Sequence, residues 1–316
     1  MNNNNLSQKA NLTGWLWELS RQMSFKSVFC PFSGNSATAR LFKEEGMEVV
    51  TTDVLLSNFN TARALVENDN TILDAFDEEA IISSNGNTVQ YFEGIVGAYK
   101  LPPEFGAWLD ICYSNIAQLD DDYKKALAST AISRVIKYML AFDENSRMRM
   151  TDDDWTNSFK YYVSWANGSV FSNGKTCLAH DMDANLLINQ IETEALSFYL
   201  PSAEGVADLR PAERFTEIFN RHCFEKELDE TLSGLVSGLG APLPDATAYK
   251  AALEEFLDSA KFMQVWLIAG NENSPVSLDE MKAMIAKFKS NSKALSKNIS
   301  YSNGFTRTEY LFIAVS

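Results

Sequence analysis

Twenty-seven residues near the start of this chain constrain its fold more than any other stretch. Ser27 to Phe29 is a short β-prone run, broken by Pro31 and Gly34; a helical pattern follows over Ala37 to Glu45 and stops at Gly46. Glu48 to Thr52 is then a second apolar, β-branched run that stops at Asp53. Strand, tight loop, helix and strand in so short a span predict a parallel βαβ unit, the opening of a doubly wound α/β sheet. A helix leads in over Lys9 to Gln22, with Leu12, Trp15, Leu16 and Leu19 on one face.

From Asp69 to Trp165 the pattern changes to helices with polar connections, clearest at Leu109 to Leu119 and Tyr123 to Leu140. Asp152, Asp153 and Asp154 read as the acidic first turn of a further helix, where carboxylates suit the dipole. Lys100 to Glu104, with the chain's one Pro-Pro pair, reads as a loop. Strands and helices alternate again after Asn167: strands at Thr176 to Ala179, Leu196 to Leu200, Met263 to Ala269 and Tyr310 to Val315, helices at Pro211 to His222 and Ser277 to Phe288. Glycines and prolines over Leu232 to Ala246 predict a long loop. The expected organisation is an α/β core over 1–68 and 166–316 with a helical insertion over 69–165.

Several function classes are excluded. Apolar runs such as Val265 to Ala269 are far shorter than the roughly 20 residues of a membrane-spanning helix, and Met1 to Asn5 has no signal-peptide pattern, so the expectation is a cytoplasmic protein that does not enter membranes. Cys30, Cys112, Cys177 and Cys223 lack the paired spacing of a zinc site and are expected to be reduced thiols. With His180 and His222 the only histidines, neither a histidine metal site nor a Ser-His-Asp arrangement is favoured. The net charge of −15 repels a DNA backbone. The insertion carries sixteen acidic against eight basic residues, a net of −8, which reads as a solvated surface or as one that faces a protein partner or mimics DNA.

Five ordered stretches resemble the Dam-like N6-adenine DNA methyltransferases. Lys9-Ala10-Asn11-Leu12-Thr13-Gly14-Trp15-Leu16 resembles their lysine-led first motif. Cys30-Pro31-Phe32-Ser33-Gly34-Asn35-Ser36 stands where the family has Asp-Pro-Phe-x-Gly-x-Gly around S-adenosylmethionine, with Thr52-Asp53 in place of its Asn-Asp. Asn58 to Asn60 with Ala64 to Asn68, Ala166 to Gly174 with Asp183-Ala184, and Ala294 to Ser296 with Arg307 to Ile313 resemble later segments in order. The resemblance implies a Rossmann-like S-adenosylmethionine-dependent methyltransferase sheet with an inserted helical subdomain for target recognition. It also implies cofactor contacts from Lys9, Phe32, Gly34, Ser36, Asp53 and Asp183, with Asp53 accepting from ribose hydroxyls. Cys30 and Ser36 depart from the pattern, which implies a weakened or vestigial cofactor site.

The larger departure is at the catalytic strand. The family's Asp-Pro-Pro-Tyr is here Leu200-Pro201-Ser202-Ala203. Its aspartate and a backbone carbonyl accept the hydrogens of the adenine amine, and its aromatic residue stacks on the flipped-out base. Leu200 accepts no hydrogen bond and Ala203 offers no stacking face. Three readings follow: a non-catalytic or partner-dependent subunit in DNA modification or defence; an active enzyme using Asp183, Asp208 or Glu204; and an acidic module that binds another protein. The α/β reading further predicts that Val28, Val49 and Phe198 lie on central strands and that Gly34, Asp53 and Leu200 converge at their carboxyl ends.

Overall fold

A computed structural model of the chain describes residues 6–84, 90–300 and 306–316, the side chains of 6–11 excepted. Two compact units are present. The first comprises Met1–Val54, Asn173–Asp208 and Thr231–Ser316, and the second Leu55–Ser172 and Leu209–Glu230.

The first unit is built on seven strands: β1 (Ser27–Pro31), β2 (Glu48–Thr52), β3 (Cys177–His180), β4 (Ala195–Tyr199), β5 (Val265–Asn271), β6 (Asn291–Ser300) and β7 (Thr306–Val315). Their order in the sheet is β3-β2-β1-β4-β5-β7-β6. The first five are parallel, and β7 pairs antiparallel with β5 and β6. This is the doubly wound, mostly parallel α/β sheet expected, with Val28, Val49 and Phe198 on interior strands. The interior strands are buried on both faces, β5 along its whole length, so they read as continuous apolar runs rather than alternating ones. Burial also pushes the Cys30 thiol far above its ordinary range, which leaves it protonated and inert. Edge strand β6 is mostly exposed and carries Lys293 and Lys297, charges that discourage pairing with another sheet.

Most local expectations hold, and some change. Pro103 is the first residue of a helix, Pro103–Ala117, rather than part of a loop, because a proline at that position gives up an N–H that has no helical partner. The region expected as a loop over 232–246 is helical at its start, where Leu235 closes the helix Glu225–Leu235, and the helix Ala246–Ser259 begins at its end. Asp245 caps that second helix by accepting from Thr247 N and Ala248 N. Strand β6 was signalled only through the resemblance at Ala294 to Ser296, its composition being polar. The acidic run at 152–154 does start a helix, Asp152–Asn167, with Thr151 and Asp154 forming a reciprocal capping box.

The second unit's described elements are all helical. Its central helix, Asp122–Leu140, buries a stripe including Leu127, Ala131, Val135 and Met139. Helix Pro211–Arg221 belongs to this unit and not to the sheet, and the unit is accordingly wider than the 69–165 insertion read from the sequence. The physical reason is Glu217, which is fully buried and accepts from Leu56 N at 2.7 Å and Ser57 N at 3.0 Å. It thereby caps helix Leu56–Ala62, whose preceding residue Leu55 has no capping side chain, and Arg221 neutralises it at 2.6 Å. Among the described residues no helix is long and apolar enough to cross a membrane, and no group of three His, Cys, Asp or Glu side chains is placed to hold a metal ion.

Removing the Glu217 carboxylate strips that cap and takes a buried ion-pair partner from the Arg221 guanidinium. Glu217→Ala is expected to destabilise the chain by about 3 kcal/mol, and Glu217→Gln by less, read as a lowered urea midpoint with an unchanged slope.

Candidate functional site

The sheet of the first unit reverses its winding between β1 and β4, so the loops leaving these two neighbours diverge and open a crevice beyond their carboxyl ends. On the β1 side, Phe32, Gly34 and Ser36 alternate in the left-handed region with φ of 53°, 53° and 58°. That conformation, not crowding, is what asks for glycine at 34, since a Cβ there would meet nothing nearer than the Phe32 carbonyl at 3.9 Å. The Gly34 N–H donates to Asp53 Oδ2 at 2.9 Å, which joins the loop after β1 to the end of β2. Asp53 is held level by its own N–H on the His180 carbonyl, while Thr52 Oγ1 donates to His180 O and Met182 O.

Ser36 stands where the resemblance has glycine, and its environment is unusual. It is 1% exposed, precedes the helix Ala37–Glu44, and yet its hydroxyl neither caps that helix nor has any hydrogen-bond partner. The Ser33 hydroxyl is likewise buried and unpartnered. The Phe32 ring turns away from the loop into the core, with centroids 6.0 Å from Phe198 and 5.7 Å from Phe256. Lys9 lies on helix Leu6–Ser20, and its side chain is outside the described residues.

Asp183 is committed to the protein itself. Its buried carboxylate accepts from Asn185 N and Nδ2 at 3.0 and 2.7 Å and from Ser237 N and Oγ at 2.8 and 2.7 Å. It caps the short helix Ala184–Leu187 and fastens the chain at Ser237 to it. Glu204 and Asp208 are exposed on the turn after β4.

On the β4 side, Leu200 lies just past the carboxyl end of β4, the parallel neighbour of β1. Leu200, however, is only 5% exposed and belongs to the apolar core. Its Cδ1 rests on Gly270, where an added Cβ would come within 2.9 Å. The Pro201 carbonyl accepts the Tyr249 hydroxyl at 2.8 Å, and the Ala203 carbonyl accepts Leu243 N at 2.9 Å. Gly205, with φ of +51°, approaches so closely that a Cβ would lie 2.1 Å from the Gly240 carbonyl oxygen, so no other residue fits. The turn after β4 and the segment 238–243 are thus fastened together.

One polar group at this rim had no sequence signal. The Tyr199 hydroxyl donates to Glu309 Oε2 at 2.8 Å and accepts from Asn271 Nδ2 at 2.5 Å and from an Arg307 terminal nitrogen at 3.3 Å. Arg307 Nε donates to Glu309 Oε1 at 2.6 Å. Glu309 is completely buried, and the group ties the ends of β4 and β5 to the start of β7. Burial, reinforced by the Glu309 carboxylate, pushes the Tyr199 hydroxyl far above its ordinary range, so it remains a donor. Tyr249 was also unforeseen, being 48 residues from the carbonyl it meets.

Comparison with known proteins adds one whole-length likeness. No family model matches the chain. The Type II methyltransferase M2.HphI of Haemophilus parahaemolyticus is 22% identical over 309 residues, which span 90% of this chain and 87% of that protein. The crystal structure of the methyltransferase domain of bacterial CtHen1 overlays 97% of this chain and 99% of that one, at 8% identity and a TM-score of 0.35, a value too low to carry an argument.

Two substitutions test the packing of the rim. Leu200→Asp places a carboxylate in an apolar cluster and is expected to cost about 3 kcal/mol or more, measured by urea unfolding at pH 7. Glu309→Ala removes the acceptor that Arg307 and Tyr199 share and is expected to cost about 3 to 5 kcal/mol, whereas Thr308→Ala, which removes a side-chain bond to Asn298, should change stability by about 1 kcal/mol or less.

Proposed function

We propose that this chain is a degenerate relative of the DNA adenine methyltransferases that does not transfer methyl groups by itself and acts as a partner-dependent subunit in DNA modification or defence. A methyltransferase-related function is supported by the likeness to M2.HphI along nearly the whole chain. The observation that carries the non-catalytic reading is the fate of the two acceptors that methyl transfer to an amine requires. Leu200 replaces the carboxylate and packs on Gly270, and the neighbouring Pro201 carbonyl is taken by the Tyr249 hydroxyl. An incoming amine would find no carboxylate, and only a carbonyl already shared with Tyr249, to take its hydrogens. Ala203, partly buried against the core, offers no ring for a flipped base.

Other carboxylates do not favour a variant active site. Asp183 has its oxygens engaged by Asn185 and Ser237, so using it as an acceptor for substrate would cost the anchor of the 237–240 segment. The net charge of −15 further favours a protein partner as the source of DNA affinity.

S-adenosylmethionine is the cofactor implied, and it would supply the methyl group. The loop after β1 fits it in chemistry: Gly34 keeps the backbone open, Asp53 stands anchored where ribose hydroxyls would donate, and the Ser33 and Ser36 hydroxyls are unpartnered. Phe32 would contribute backbone rather than its ring, which packs against the core. Lys9 and Asp183 complete the set of proposed contacts, the latter through the segment it fastens.

The test is label transfer from S-adenosylmethionine to unmethylated DNA by the purified chain, beside a calorimetric titration with the same cofactor. Loss of a preorganised acceptor typically costs on the order of a hundred- to a thousandfold in rate, and with the carboxylate gone and the carbonyl shared with Tyr249 no transfer above background is expected. Robust transfer that disappears in Asp183→Ala or Glu204→Ala would overturn the proposal in favour of a variant-site enzyme. Binding without transfer supports it, and absence of binding together with a stable protein partner would favour an interaction module.

A further inference from the structure

We propose that a tyrosine-lined cleft between helices Asp122–Leu140 and Asp152–Asn167 of the second unit is a receptor for a lysine or arginine side chain on a basic segment of a partner protein. Such a receptor would serve the partner-dependent reading above, but its test reads peptide binding and stands or falls apart from methyl transfer. The cleft has a volume of about 390 Å³ and is lined by Tyr138, Asp154, Asn157, Ser158, Tyr161 and Tyr162. All but Tyr138 come from one helix, at the i, i+3, i+4, i+7, i+8 spacing of a single face, and Tyr138 comes from the last turn of the other. The stripe Trp155, Phe159, Val163 and Ala166 is what the first helix buries, so its tyrosine face is left to the surface.

The lining selects a cation. It holds three phenol rings, one carboxylate and no aliphatic side chain, so an apolar guest finds little to pack on and an anion meets Asp154. A cation gains from both, because ring faces and a carboxylate attract it together. Asp154 is fixed in position by accepting from Thr151 N at 2.7 Å, and Asp152 and Asp153 are exposed on the same turn. Asn157, exposed on the same face, offers an amide oxygen to the N–H groups of an ammonium or guanidinium. The three hydroxyls stand within one another's electrostatic reach: burial raises Tyr162 above its ordinary range, Arg134 opposes the rise, and Tyr161 and Tyr138 add to it. Arg134 is itself stacked on Trp165, 3.5 Å from the ring centroid, so the same two helices already hold one guanidinium by this kind of contact about a turn away. Tyr161 is 67% exposed and Tyr138 37%, with the exposed Phe142 edge-on to Tyr138 at 4.9 Å. Clustered aromatic surface of this kind marks a contact site, and its openness suits a side chain projecting from a partner better than an enclosed small molecule. The net charge of −8 over 69–165 supplies the wider field that draws a basic segment to it.

The experiment is an NMR titration of the full chain with isotope-labelled tyrosine rings, the signals of the cleft being assigned through Tyr138→Phe, Tyr161→Phe and Tyr162→Phe. The probe is a glycine-serine peptide with blocked ends and a central arginine, beside versions carrying lysine, citrulline and norleucine and beside a short oligothymidylate. The arginine and lysine peptides should shift the three rings saturably, and citrulline, which keeps the shape of arginine without its charge, should not. Tyr161→Leu should weaken the arginine peptide on the order of two- to fivefold, the worth of one exposed cation–π contact, and Tyr161→Phe, which keeps the ring, should bind it like the natural chain. Asp154→Asn keeps an acceptor for the Thr151 N–H and should nevertheless weaken both cationic peptides. Citrulline or norleucine binding as tightly as arginine would overturn the inference by making the cleft merely apolar. Arginine binding unchanged in Tyr161→Leu would reduce it to a diffuse acidic surface, and saturable shifts from oligothymidylate in place of the peptides would make it a base-stacking surface; either result overturns the inference, as does the absence of any shift with both cationic peptides.

Discussion

Strand β1 hydrogen-bonds to β2 on one edge and to β4 on the other, and the geometry of the crevice descends from that double pairing. A strand with neighbours on both edges and core on both faces has no solvent side, so Val28, Phe29 and Cys30 are buried without alternation. The chain leaves β1 toward β2 but returns to β1's other side as β4, and the two exits therefore separate. Gly34, Ser36 and Leu200 owe their shared rim to this reversal rather than to any direct attraction. Asp53 joins it because β2 ends in register with β1, Pro31 opposite Thr52.

What distinguishes this rim is how completely its polar atoms are answered from within. Pro201 O meets Tyr249, Ala203 O meets Leu243, Asp183 meets Asn185 and Ser237, and Glu309 meets Tyr199 and Arg307. A site built for turnover leaves acceptors aimed where charge develops during reaction. Internal bonds of this kind hold the β4 side together, while buried hydroxyls without a partner occur at Ser33 and Ser36 after β1 and at Ser197 within β4.

Legibility in the sequence followed the range of the interactions. The βαβ opening at 27–52 and the helix at 122–140 were readable because period and breakers are local properties. Pro103 was misread because a proline pair marks both a loop and a helix start, and only the φ and ψ of Pro102 decide between them. Helix 246–259 hid behind the glycines and prolines before it, and β6 hid in polar residues because an edge strand need not bury a face. The resemblance located Leu200 and Ser36, but neither pattern nor motif could show that Leu200 packs on Gly270, or that Glu217 caps a helix 160 residues away. Those facts exist only once distant segments have been brought together.

The close approach of Gly205 to Gly240 has a consequence for variation. Any side chain at 205 collides with backbone, and an acidic side chain at 200 would lie in apolar surroundings against Gly270, so neither position accepts exchange while its neighbours stay where they are. The turn at 200–205 and the segment 238–243 are therefore a single unit of variation: residues on either one are free to change only as far as the backbone of the other moves with them.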